Sequence, residues 1–154
     1  MVPTPTERLR ELGLTLPPPP TPKGSYSPVV RSGSLAWVSG QIVLESGVIA
    51  HPGSVDREVP ATTASDLVRR ATLQALSALA SELGGLDRVR RAVRLGVFVA
   101  VSPGFHRAHE VANAGTDLLI AVLGEAGRAS RTTVGVAGLP LNAPVEVELL
   151  VETA

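Results

Sequence analysis

Apolar and polar positions along this chain fall into two periods. Residues 88–100, RVRRAVRLGVFVA, alternate: Val89, Val93, Leu95, Val97 and Val99 on one side, Arg90, Ala92, Arg94 and Gly96 on the other. A period of two is a half-buried strand. Residues 62–83 instead place Val68, Ala71, Ala75, Leu79 and Leu83 on one stripe, widened by Leu76, which predicts a helix. Thr63 with Asp66 resembles a capping box at its start, and Gly84-Gly85 ends it. Ser102-Pro103 reads as a cap and first-turn proline of a second helix running to about Leu123, with Val111, Leu118 and Val122 inward and Gly124 and Gly127 at its exit. Residues 26–32 and 34–44 predict two strands meeting at Ser32-Gly33-Ser34, and Gly40 marks a bulge or a close backbone approach. A loop follows from Glu45 to Pro60. Residues 129–152 read as a closing hairpin centred near Leu141.

Ahead of these, residues 6–13 predict a short helix capped by Thr6, with Leu9 and Leu12 on one side and Gly13 as the stop. The LPPPPTPKG stretch that follows favours polyproline II, a stiff arm (residues 1–23 with the helix) ahead of a single domain over 24–154. No internal repeat is present. The order ββαβαββ predicts an α+β two-layer sandwich, one mixed β-sheet with two helices on one face.

By parity in the closing hairpin, Val134, Val136, Val145, Val147 and Leu149 face the helices. Arg131, Thr133, Gly135, Glu146 and Glu148 then share the other face, a mixture suited to solvent or to subunits meeting around a polar site. A hairpin centred near Leu141 sets Arg131 beside Val151. Glu146 is then roughly 17 Å away along the strand. A site using both is therefore expected to draw on two chains.

Composition narrows the chemistry. The 154 residues include no cysteine, which excludes disulfides, thiolate metal sites and cysteine nucleophiles. Fourteen basic residues balance fourteen acidic ones, so no global field draws the chain to nucleic acid or anionic lipid. No run approaches a membrane span, and the N-terminus lacks a signal peptide's apolar stretch, which reads as a cytoplasmic protein.

Three stretches, GSYSPVVRSGSLAWVSGQI, SRTTVGVAGLP and VEVELLVE, resemble the RidA family of imine/enamine deaminases, also called YjgF or L-PSP endoribonuclease-like proteins. The likeness spans residues 24–154. It implies a chorismate-mutase-like fold and a homotrimer with three intersubunit clefts. It also implies hydrolysis of 2-imino or enamine acids to 2-keto acids and ammonia, without cofactor or metal. Carried over residue by residue, Arg131 matches the arginine that clamps the substrate carboxylate, and Thr133 stands where many members have cysteine. Glu146 matches the glutamate associated with the hydrolytic water, Tyr26 a cleft tyrosine, and Ser39 and Gly40 the SGQ segment beside it. Phe105 and Asn113 lie in the cleft-lining stretch. Two departures mark a divergent branch: residues 101–113 run longer than in typical members, and the N-terminal helix and proline arm are additions.

The residues suit that chemistry. Arginine's planar fork offers two parallel hydrogen bonds to a carboxylate. A carboxylate can orient a water against the imine carbon and take its proton. Plainer readings stand beside these. Arg131 can pair with a surface carboxylate, and Glu146 and especially Glu148 can be solvent-face strand residues. His106, His109 and Glu110 fit a solvated helix face better than a metal site, because no third ligand is evident. Arg69-Arg70 and the arginines of 88–94 lack the aromatic residues of a base-stacking surface. Two other functions compete: a non-catalytic trimer that binds small carboxylates or serves as a regulatory scaffold, and a ribonuclease.

Overall fold

The computed structural model describes residues 2–154. Helix α1 (Pro5–Glu11) precedes strands β1 (Val29–Ser32), β2 (Leu35–Gln41), β3 (Leu44–Glu45) and β4 (Val48–Ile49). Then come α2 (Ala61–Leu83), β5 (Val89–Ala100), α3 (Ala108–Leu123), β6 (Ser130–Val136) and β7 (Val145–Thr153). One five-stranded sheet runs β1-β2-β7-β5-β6, antiparallel except for the parallel pair β5 and β6. Helices α2 and α3 cover one face, with Leu67, Val68, Leu76, Leu79 and Leu119 buried against Leu95, Val97, Val147 and Leu149. The fold is α+β, as expected. None of its helices is long and apolar enough to cross a membrane, among the described residues.

The closing hairpin does not form. β7 inserts between β2 and β5, and β6 lies outside β5. Residues 137–144, with a 3₁₀ turn at Pro140–Asn142, carry the chain over the end of β5. Burial explains the choice. Val145, Val147, Leu149 and Val151 are all 2% exposed or less and need helices above them and strands on both sides. β6 offers Arg131, Thr133 and Gly135 at the matching positions, tolerable only at an edge.

Parity changes as well. Arg131 pairs with Leu95 and Thr133 with Val97, so both stand on the helix side of the sheet. Val134, level with Phe98, lies on the open face and is 40% exposed. Two register shifts in β5, between Val89 and Arg91 and between Ala92 and Arg94, turn Ala92 into the core. The uninterrupted alternation predicted for residues 88–94 is thereby broken.

Helix ends depart from the expected caps. Thr4, not Thr6, caps α1: its hydroxyl accepts from the Glu7 N–H (3.2 Å), and its own N–H donates to Glu7 Oε2 (2.8 Å). The Thr6 N–H donates instead to Asp87 Oδ1 at 2.8 Å, fastening α1 to the domain, where Leu9 joins the core. α2 begins directly after the extended Pro60 and no side chain caps it; Thr63 lies within its first turn and Asp66 in its second, so the expected capping box does not form. Gly84 does end it, in the left-handed conformation. α3 begins only at Ala108, because Gly104 turns the chain at φ +90° and Ser102–Arg107 form a loop. A small hairpin, β3 with β4, stands where a loop was expected. Its two turn residues, Ser46 and Gly47, both have positive φ, the requirement of a tight type I′ turn.

Candidate functional site

Two hollows open on this framework. The first, about 550 Å³, lies between the end of β6 and the start of α3, lined by Ser102, Phe105, His106, His109, Thr133 and Gly135. Arg131 stands beside it. Its Nη1 donates to Asn113 Oδ1 (2.9 Å) and Thr116 Oγ1 (3.2 Å), and its Nη2 to the His109 carbonyl (3.3 Å). All three acceptors are neutral, and no Asp or Glu lies within ion-pair range of this guanidinium among the described residues. The reading of Arg131 as half of a surface ion pair therefore fails. The Thr133 hydroxyl oxygen nearby is buried without a hydrogen-bond partner. His106 and His109, both exposed, form the rim.

The second hollow, about 1080 Å³, is lined by Tyr26, Ser39, Gly40, Gln41, Leu141 and Glu146, with the proline arm along one side. The Ser39 hydroxyl donates to the Ser27 carbonyl (2.6 Å), and the Gln41 side chain donates to the Ser39 carbonyl (2.9 Å), which fixes this wall. Glu146 comes from β7, level with Phe98 on the open face. Burial and, secondarily, the Glu148 carboxylate hold its carboxyl above the usual glutamate range. Glu148 itself pairs with Arg94 at 2.7 Å.

Gly40 sits in a register shift between Val38 and Gln41, so it is both a bulge and a close approach. A Cβ there would lie 1.9 Å from Glu146 Oε1. Gly40→Ala should therefore destabilise the fold by about 1–2 kcal/mol through overpacking. Adding Glu146→Ala should recover most of that loss, because the carboxylate is the obstructing group. Thermal melts of the two single variants and the double variant give the coupling directly; additive losses would place the clash elsewhere.

One chain gathers Arg131, Thr133, Phe105 and Asn113 in one place, and Tyr26, Ser39, Gly40 and Glu146 in another. It does not bring Arg131 to Glu146. Arg131 is level with Leu95 and Glu146 with Phe98, two strands across, three residues along and on opposite faces. Strand spacing makes that roughly 14 Å through the sheet. Sequence reasoning missed Thr116, whose signal was a polar stripe on α3: His109, Asn113 and Thr116 recur at helical spacing. It also missed Leu141, whose sequence context marks only a turn.

The comparisons agree with this architecture. Residues 6–153 match the family model described as "YjgF/chorismate_mutase-like, putative endoribonuclease". Protein TCP17 of Trypanosoma cruzi is 41% identical over 145 residues, 94% of this chain and 91% of the relative. The crystal structure of Atu1372 from Agrobacterium tumefaciens, of unknown function, aligns with a TM-score of 0.85 at 41% identity, over 95% of this chain and 89% of that one. A "putative endoribonuclease" from Shewanella oneidensis aligns with a TM-score of 0.91 at 31% identity, over 97% and 99%. A match along nearly the whole chain, on the sheet order that carries both hollows, makes this protein a member of the YjgF family, the RidA family of the resemblance.

Proposed function

We propose that the chain forms a homotrimer and hydrolyses reactive 2-imino or enamine acids to 2-keto acids and ammonia in clefts between subunits. One subunit contributes the hollow beside Arg131, and its neighbour contributes the hollow holding Glu146. The observation that carries this reading is Arg131: a cation braced by three neutral acceptors, with its charge left unpaired. Such a group is prepared for an anionic ligand, and the fork selects a carboxylate. Thr133 supplies an unsatisfied hydroxyl beside it.

With the substrate carboxylate on Arg131, Glu146 of the facing subunit orients a water against the imine carbon. The water oxygen bonds to that carbon while Glu146 takes its proton. The C=N electron pair takes up that proton at nitrogen, giving a carbinolamine; Glu146 then moves the hydroxyl proton to nitrogen as the C–N bond breaks, so ammonia leaves with the bonding pair and the carbonyl forms. Burial holds the Glu146 carboxyl above its usual range, which makes it a stronger base than an exposed glutamate and suits a proton taken from water and returned to nitrogen. Assembly is supported by the open face of the sheet, where Val30, Trp37 and Val134 are all 40% exposed or more and, among the described residues, no layer of the same chain covers them.

The test is an assay in which 2-aminoacrylate is generated in situ and keto-acid release is followed. The chain should accelerate it; no acceleration with this or with longer-chain imines overturns the deaminase reading. Light scattering should report a trimer, and a stable monomer at micromolar concentration would remove the shared cleft. Hybrids then test which halves meet. Arg131→Ala and Glu146→Ala trimers should each be inactive, yet refolding them together should restore about a quarter of the clefts, those receiving an intact half from each chain. Hybrids without recovery would place both residues in one subunit's site.

A further inference from the structure

The hollow holding Glu146 is far larger than water and a three- or four-carbon acid require. On one chain, with its mouth open to the facing subunit, it measures about 1080 Å³, above the ~300–1,000 Å³ usual for drug-sized ligands. Part of its wall is the proline arm. Leu9, Leu14 and Leu16 pack on the core, and the Ser77 hydroxyl donates to the Pro17 carbonyl, so the arm's base is fastened to α2. Beyond that anchor, Pro18, Pro20 and Pro22 line the hollow, and Lys23, the one lysine of the chain, ends the wall. Prolines hold this wall in place with little entropy left to lose on binding.

Tyr26 and Leu141 line the same hollow, 53% and 64% exposed. Leu141 has φ +58° and ψ +22°, the left-handed region, which a leucine side chain disfavours. The next residue, Asn142, is also at positive φ. A strained backbone that leaves a leucine exposed at a cavity is a feature of sites rather than of cores.

We infer that the proline arm and Leu141 form a specificity wall, and that the cleft takes 2-imino and 2-oxo acids with long apolar side chains in preference to the shortest ones. This rests on the reading of Glu146 and the facing Arg131 as the reacting end. The carboxylate and imine occupy that end, and the side chain runs along the prolines. Each methylene buried there contributes roughly fourfold in affinity.

Binding tests this apart from turnover. Calorimetric titration of the intact chain with pyruvate and with 2-oxooctanoate should show the longer acid binding at least tenfold more tightly. Replacing Pro18, Pro20 and Pro22 together by glycine, with Pro17 and the leucine anchors kept, should bring the ratio of the two affinities toward one. Leu141→Gly gives a second test with little folding risk, because glycine accepts the left-handed backbone. It should reduce the same ratio while leaving the melting temperature equal or higher.

Equal affinities in the wild type, or a ratio untouched by both variants, overturn the wall. Loss of both ligands in parallel also overturns it, and makes the arm general support. If the length preference holds and falls in the variants while no imine is hydrolysed, the wall stands and the deaminase reading falls. Hydrolysis of imines without length preference gives the reverse.

Discussion

Arg131→Ala should remove keto-acid binding and imine hydrolysis while leaving a folded, assembled protein. Its loss takes away a positive charge beside the first hollow that is braced by neutral acceptors and, among the described residues, pairs with no carboxylate. A hydrogen bond to a charged group contributes about 1.5–3 kcal/mol, so affinity for pyruvate or 2-oxobutyrate should fall by roughly one to two orders of magnitude. The cost to the fold is smaller. Asn113 is exposed and Thr116 half-buried, so water can replace the guanidinium, and a melting point lower by a few degrees is expected. Lysine should rescue only weakly, because a point charge lacks the fork and cannot serve Asn113, Thr116 and the His109 carbonyl while also holding a ligand. Asn113→Ala should act more gently, raising KM more than it lowers kcat, since it loosens the brace and keeps the charge. Titration of wild type and variants, beside their melting curves, decides. Equal binding by the alanine variant removes the clamp. A collapse in melting temperature with loss of assembly makes Arg131 a tie between β6 and α3.

How far the chain could be read in advance follows from what is local. The inward residues of β7 alternate without interruption, the stripe on α2 is continuous, and Gly84 and Gly40 each mark a backbone event that no side chain obscures. These were legible. The partner of β6 was not. Pro140-Leu141-Asn142 looks like a hairpin turn because the step over β5 uses so few residues, and only the need of β7 for two neighbours decides against a hairpin. Arg131 and Thr133 read as outward because they are polar. Their place on the helix side depends on the edge position of β6 and on acceptors contributed by α3, eighteen and fifteen residues away for Asn113 and Thr116. The bulges in β5 likewise answer to Thr153, Glu152 and Leu150 across the sheet and leave no mark in the alternation of arginine and valine. For the site, residue types were readable from motif and chemistry. The side of the sheet on which each side chain stood was not, and it changes the argument. Arg131 and Glu146 are separated by the sheet itself, so a shared site requires a second chain for a stronger reason than distance along a strand.

Glu146→Gln should slow hydrolysis by ~100-fold or more, the usual scale of a general base, and should at the same time raise the melting temperature at neutral pH. The two effects have one cause. Burial, with the Glu148 carboxylate second, makes Glu146 hold its proton to higher pH than an ordinary glutamate. Between the unfolded and the folded titration, the folded chain keeps a proton that the unfolded chain has lost, so stability falls as pH rises through that window. Above it the full cost of an ionised, half-buried carboxylate remains, and the neutral amide removes it. Below the ordinary glutamate range both side chains are uncharged, and the two melting curves should converge. The rate profile should mirror this: turnover in the wild type should rise with pH along a limb set by Glu146, above the usual glutamate range, and the limb should vanish in the amide. Glu148→Gln supplies the opposite handle. It removes the repelling carboxylate and frees Arg94 from its 2.7 Å ion pair. Both changes favour the ionised Glu146, so the limb should move to lower pH with little loss of maximal rate. A variant at Glu146 that melts higher yet turns over at the wild-type rate would make the carboxylate an unneeded buried charge. A limb indifferent to Glu148 would assign the titration to another group.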